Sequence, residues 1–148
     1  MIRMRRLLAG EQGTALLETA MTLPLLLIVS VGIFEFGRAF QTQQVLTNAA
    51  REGARLAVMP GSTDSAVKAR VQSYLTAGQL TNTPGIVLNP TSTVSIGGGA
   101  TANSSLVTVT YPFQFMVLQP VARLVLPSST LGGAFTLTAT AEMRNESQ

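Results

Sequence analysis

The sequence predicts an α+β fold: a long N-terminal transmembrane helix that continues outside the membrane, then a short helix and a small antiparallel sheet. Three observations carry this. The run TAMTLPLLLIVSVGIF, Thr19 to Phe34, holds no formal charge. Apolar residues keep helical spacing beyond it, from Phe40 to Ala57. From Ile86 onward the apolar period falls to two.

The first element is the apolar helix. Thr14 to Phe34 covers roughly 31 Å at about 1.5 Å per residue, enough to cross a hydrocarbon core. Leu25, Leu26, Leu27, Ile28 and Val29 are apolar all round the helix, more surface than a domain of roughly 90 residues covers. Pro24 removes one backbone donor within the span. Arg3, Arg5 and Arg6 precede the span, whereas Glu35 and Arg38 nearly cancel after it. The positive-inside bias therefore places Met1 in the cytoplasm and the C-terminus outside. Glu35 and Arg38, at i and i+3, are a candidate pair at the outer interface.

Past the interface, Phe40, Val45, Leu46, Ala49, Ala50, Gly53, Ala54 and Ala57 recur near helical spacing, with Arg51, Glu52 and Arg55 between them. Ala49, Gly53 and Ala57 form a helix-packing ridge of small residues, against the chain's own domain or against another subunit. Pro60-Gly61 stops the helix. Ser62 or Thr63 caps a second one, with Val67, Val71, Tyr74 and Leu75 as its apolar stripe. Thr76 to Pro84 reads as loop.

Strands are expected at Ile86–Leu88, Thr93–Ile96, Leu106–Tyr111 and Phe135–Met143. In the last, Phe135, Leu137, Ala139, Ala141 and Met143 alternate with Thr136, Thr138, Thr140 and Glu142, the mark of a half-buried antiparallel strand. Gly97-Gly98-Gly99 has no following GK[ST], so it reads as a hairpin turn and not a phosphate cradle. Phe113 to Leu126 is apolar, broken by Pro120 and too short to span a bilayer. It reads as a helix covering the sheet, with an interfacial segment as the second reading. Asn103-Ser104-Ser105 and Asn145-Glu146-Ser147 match the glycosylation sequon, a pattern that recurs by chance.

Composition narrows the chemistry. Among the 148 residues there is no Cys, His or Trp. That removes disulfides, thiolate metal sites and His-based triads, and no metal or cofactor is expected. Arg3, Arg5 and Arg6, offset by Glu11, carry most of the net charge of +3. From Thr14 onward seven basic residues face six acidic ones, with no basic aromatic face, so nucleic acid is not an expected partner. No catalytic constellation emerges, and the chain reads as not an enzyme.

The junction Gly13-Thr14-Ala15-Leu16-Leu17-Glu18 follows a short basic leader. It resembles the site cut by prepilin peptidases, with Thr14 as the new N-terminus and Glu18 five residues after Gly13. A carboxylate at a membrane boundary is costly unless paired. Cleavage would leave an α-amine at Thr14, one turn from Glu18, and a neighbouring subunit's amine would set axial register; an interfacial carboxylate with no partner is the other reading.

The resemblance extends through Gly13 to Ala57. Glu18, Leu23-Pro24, Gly32, Glu35-Phe36-Gly37-Arg38 and the run Asn48 to Arg55 resemble the TadE-like proteins of Tad/Flp pilus assembly, and Val107 to Arg144 resembles their C-terminal halves. The resemblance implies a pilin-like or pseudopilin protein of the cytoplasmic membrane that supports biogenesis of an adhesive filament. Its partners would be the lipid bilayer, other pilus-assembly subunits and a prepilin peptidase. A membrane-anchored binding module or adhesin is the alternative. The organisation expected is a leader over 1–13, a transmembrane and extended helix over 14–60, and an extracytoplasmic domain over 61–148.

Overall fold

The computed structural model describes residues 3–125, 127, 128, 130 and 132–145, with side chains from Gly13 onward other than those of 124 and 125. Met1, the Arg3, Arg5 and Arg6 side chains, Leu126, and Glu146 and Ser147 of the second sequon lie outside the described residues. The elements in chain order are α1 (Arg3–Ala57), α2 (Asp64–Ala77), β1 (Gly85–Gly97), β2 (Ala100–Phe113), α3 (Leu118–Val125) and β3 (Phe135–Arg144). The α+β architecture expected from the sequence is present. The chain divides into two compact units, one of 1–37 with 116–131 and one of 38–115 with 132–148.

In the first unit, α1 supplies a helix whose 18-residue apolar window has mean hydropathy 2.0 and no buried share. Pro24 sits inside the helix without ending it. The hydroxyls in this stretch are tied to their own helix: Thr19 Oγ1 donates to the Ala15 carbonyl and Ser30 Oγ to the Leu26 carbonyl, each at 2.8 Å. Such back-bonding hides polar groups on an apolar surface. The unit also holds α3, whose Val121 N–H bonds the Val117 carbonyl at 3.1 Å. The sequence had α3 covering the sheet. It belongs instead to the unit of 1–37, where Leu118 and Val121 share a cavity with Pro24, Leu27, Ile28 and Val31.

In the second unit, the three strands form one antiparallel sheet in the order β1-β2-β3. Register puts Ile86 opposite Val109 and Leu88 opposite Val107, and Val109 opposite Ala139. These residues share one face with Tyr111, Leu137, Ala141 and Met143, because side chains alternate along a strand. That face packs against Leu46, Ala49, Ala50 and Ala54 of α1 and Val67, Val71 and Leu75 of α2. Burying Leu46 and Leu75, both at 0% exposure, contributes about 2 kcal/mol each. The opposite face carries Thr108, Thr110, Thr136, Thr138 and Thr140.

The local chemistry explains the boundaries. α1 ends at Ala57, and the turn after it leads to Gly61 at φ 77°. Thr63 caps α2, its hydroxyl accepting the Ala66 N–H at 3.3 Å. Tyr74 leaves the apolar stripe assigned to it: it is 38% exposed, with the Arg70 guanidinium 5.4 Å from its ring centre. Gly97, Gly98 and Gly99 all have positive φ, and Gly97 pairs Ala100, so Gly98-Gly99 make the two-residue hairpin turn.

β1 is one strand where the sequence showed two fragments. A bulge between Asn89 and Ser92, around Pro90, interrupts its pairing. Proline is tolerated there because β1 is an edge strand. On the other edge, the Gln43 side chain donates Nε2–H to the Thr138 carbonyl at 2.9 Å.

Candidate functional site

The residues singled out by the sequence fall on α1. Gly13 and Thr14 lie inside an unbroken helix. A Cβ added at Gly13 meets nothing within 4 Å, so packing does not require glycine there. Glu18 is exposed, one turn further along, and its carbonyl accepts the Thr22 hydroxyl. The apolar surface around it is open: Leu16, Leu17, Met21, Leu25 and Leu26 are each more than half exposed. On a protein in water this would be a severe liability, and in a bilayer it is the surface lipid covers.

The small-residue positions lie in the second unit. Ala49 is fully buried, Gly53 is buried and Ala57 is half-buried. A Cβ at Gly53 would sit 2.5 Å from Val71 Cγ2 and 3.3 Å from Val107 Cγ1. Glycine is therefore what lets α1 approach α2 and β2 together. Gly53 and the buried Ala49 thus face the chain's own core.

Sequence reasoning considered Glu35 only for a local pairing with Arg38 and missed the long-range contacts of two carboxylates. The first is Glu35, which is fully buried. One of its oxygens accepts the Met116 N–H at 2.8 Å and the Val117 N–H at 2.6 Å. These donors sit just before α3, where helical N–H groups lack intrahelical partners, and a carboxylate suits the positive end of the helix. The partner is 81 residues away, so no local spacing announces it.

The second is Glu52. Arg55 grips it from i+3, Nη2 to Oε1 at 2.7 Å and Nε to Oε2 at 3.0 Å. Arg70 of α2 adds Nη2 and Nε bonds to Oε1 at 2.9 and 3.2 Å. The Arg55 bonds first, then those of Arg70, lower its carboxyl to about pKa 2. Similar chemistry ties the sheet's end. Ser104 and Ser92 hydroxyls donate to Glu142 Oε1 at 2.5 and 2.9 Å and hold that carboxyl below its ordinary range. Ser104, part of the first sequon, is fully buried in β2.

An aromatic cluster completes the second unit. Phe113, Phe115 and Phe135 have ring centres 5.4–5.5 Å apart, and the Arg38 guanidinium lies 5.2 Å from the Phe113 centre. Aromatic packing and a cation over a ring each add modest stability.

Among the described residues, the chemistry on offer is that of anchoring and packing. The family model of TadE-like proteins matches residues 13–55, the stretch in which the sequence resemblance was strongest. That match covers the apolar helix and its continuation, which includes the stretch long and apolar enough to cross a membrane. No curated protein and no solved structure matches the chain.

Proposed function

We propose that the chain is a pseudopilin-like, non-enzymatic component of a Tad/Flp-type pilus assembly apparatus, crossing the cytoplasmic membrane once. The carrying observation is coincidence: the TadE-like match falls on the helix with an apolar, uncovered surface. The N-terminus is cytoplasmic, on the strength of Arg3, Arg5 and Arg6, and the sheet unit extracytoplasmic. Its partners are lipid, other pilin-like subunits and the peptidase that removes the leader.

Cleavage between Gly13 and Thr14 is part of this reading. The support is a glycine that packing does not demand, followed by Glu18 on an exposed face. A peptidase needs close backbone approach at the scissile bond, which Gly13 permits and a branched side chain blocks. The freed Thr14 amine of one subunit then neutralises Glu18 of the next, removing two charges from an apolar surround.

Intact-mass measurement and filament imaging test this. The wild-type protein from membranes should begin at Thr14, and Gly13→Leu should retain the leader. Glu18→Ala should still be cleaved while surface filaments are lost. A mature chain beginning at Met1 would refute processing. Normal filaments after gene deletion would refute the assembly role.

A further inference from the structure

We propose that α3 is a second membrane contact: it lies within the outer leaflet, starting at the headgroup–acyl boundary beside Glu35 and running inward beside the anchor helix, with phospholipid as its partner. The proposal rests on α1 being the membrane anchor.

The first observation is level. Leu118 and Val121 line a cavity of about 290 Å³ together with Pro24, Leu27, Ile28 and Val31 of α1. All four α1 residues belong to the charge-free run. An element packed beside them lies at a depth that the anchor reading assigns to the bilayer.

The second is satisfaction of the backbone. A helix that starts in an apolar medium leaves unpaired N–H groups, each costly there. Glu35 takes the Met116 and Val117 N–H groups immediately before α3. Pro120 stands in the first turn, where its missing N–H removes a third donor.

The third is the outward surface. Met116 is 67% exposed and Val117 38%, and Pro120 is exposed, forming an apolar flank that water does not favour. Gln119 and Arg123 share another side of the helix, since they are four apart. From Phe113 to Ala141 the sequence has no acidic residue, and Arg123 is the one charge. An apolar flank beside a lone cation suits a lipid boundary: the flank meets acyl chains, and Arg123 extends to phosphate oxygens. A partner protein's surface would also cover the flank, but continuity with the anchor selects lipid.

The chain has no cysteine, so single-cysteine variants report cleanly. Met116→Cys carries an environment-sensitive fluorophore, with Leu27→Cys in the anchor and Thr140→Cys on the exposed sheet face as references. The full-length protein is reconstituted in phosphatidylcholine–phosphatidylglycerol vesicles containing lipids spin-labelled near the headgroup. Quenching at Met116 should approach or exceed that at Leu27 and be several-fold stronger than at Thr140. Adding Glu35→Ala should lower Met116 quenching toward the Thr140 level with Leu27 unchanged, while Glu35→Gln, which keeps a carbonyl acceptor, should preserve it.

Quenching at Leu27 with Met116 at the Thr140 level overturns the lipid contact and leaves the anchor standing. Loss of quenching at Leu27 as well removes the anchor reading and this proposal together. A Met116 label shielded from lipid but crosslinked to a second copy assigns the flank to a neighbouring chain and also overturns it. Unchanged quenching in Glu35→Ala removes Glu35 as the positioning residue.

Discussion

Gly53→Ala sets two known effects against each other. In an open helix interior this change stabilises by about 0.5–1 kcal/mol, because glycine loses more backbone entropy on folding. Here the new Cβ would stand 2.5 Å from Val71 Cγ2, where ordinary contact begins near 3.4 Å. One of the two must retreat by roughly 1 Å in a close-packed core. Val71 is fully buried, and Val107, 3.3 Å from the same point, blocks the other direction. Overpacking of this kind costs about 1–3 kcal/mol. The net loss is about 0–2.5 kcal/mol, and Tm should fall by roughly 4–8 °C for each kcal/mol lost.

Thermal unfolding of the detergent-solubilised chain measures it, with Gly37→Ala alongside. A Cβ at Gly37 meets nothing within 4 Å, so that variant should hold or raise Tm. Adding Val71→Ala to Gly53→Ala should recover part of the loss beyond additivity. If Gly53→Ala raises Tm as an unobstructed helical glycine would, the close approach of α1 to α2 and β2 is wrong.

Two further outcomes follow from the carboxylates. Glu52 has a folded pKa of about 2 against an ordinary 4.5, so its stabilisation is present above 4.5 and is lost as pH falls toward 2. Because Arg55 and Arg70 are about half exposed, the effect should be at most about 1 kcal/mol. Acid titration of Tm in wild type and Glu52→Gln measures it, and identical slopes between pH 5 and 2 would contradict the network. Ser104→Ala should raise the Glu142 pKa toward its ordinary value, read by side-chain carboxyl NMR. An unmoved titration would mean that the buried hydroxyl does not hold that carboxylate.

The architecture was legible where burial is one-sided and local. β3 announced itself because Leu137, Ala139 and Ala141 face the core while Thr136, Thr138 and Thr140 face out. The glycine turn and the α2 cap were readable because φ preference and hydroxyl capping act over two or three residues. β1 was split in two because the bulge at Asn89–Ser92 resets the alternation on which period reading depends. α3 was visible as an apolar segment but assigned to the wrong neighbour, since its placement depends on Glu35, far away in the chain. Arg70 reaches Glu52 across 18 residues, a separation set by the α1–α2 turn and not by helical repeat. Tyr74 sat in the expected stripe by hydropathy alone, yet it lies beside Arg70 at the edge.

The two rims of the sheet bear on life in a crowded membrane. A protein held at one surface meets its own copies at high local concentration, in a common orientation. An open strand rim is then an invitation to indefinite strand-by-strand growth. On β1 the row of pairing groups is broken by Pro90 and the bulge, which deny an incoming strand a continuous template. On β3 the Thr138 carbonyl is already occupied by the Gln43 amide. Strand addition is thus hindered at Pro90 and the bulge on one rim and at the Thr138 carbonyl on the other.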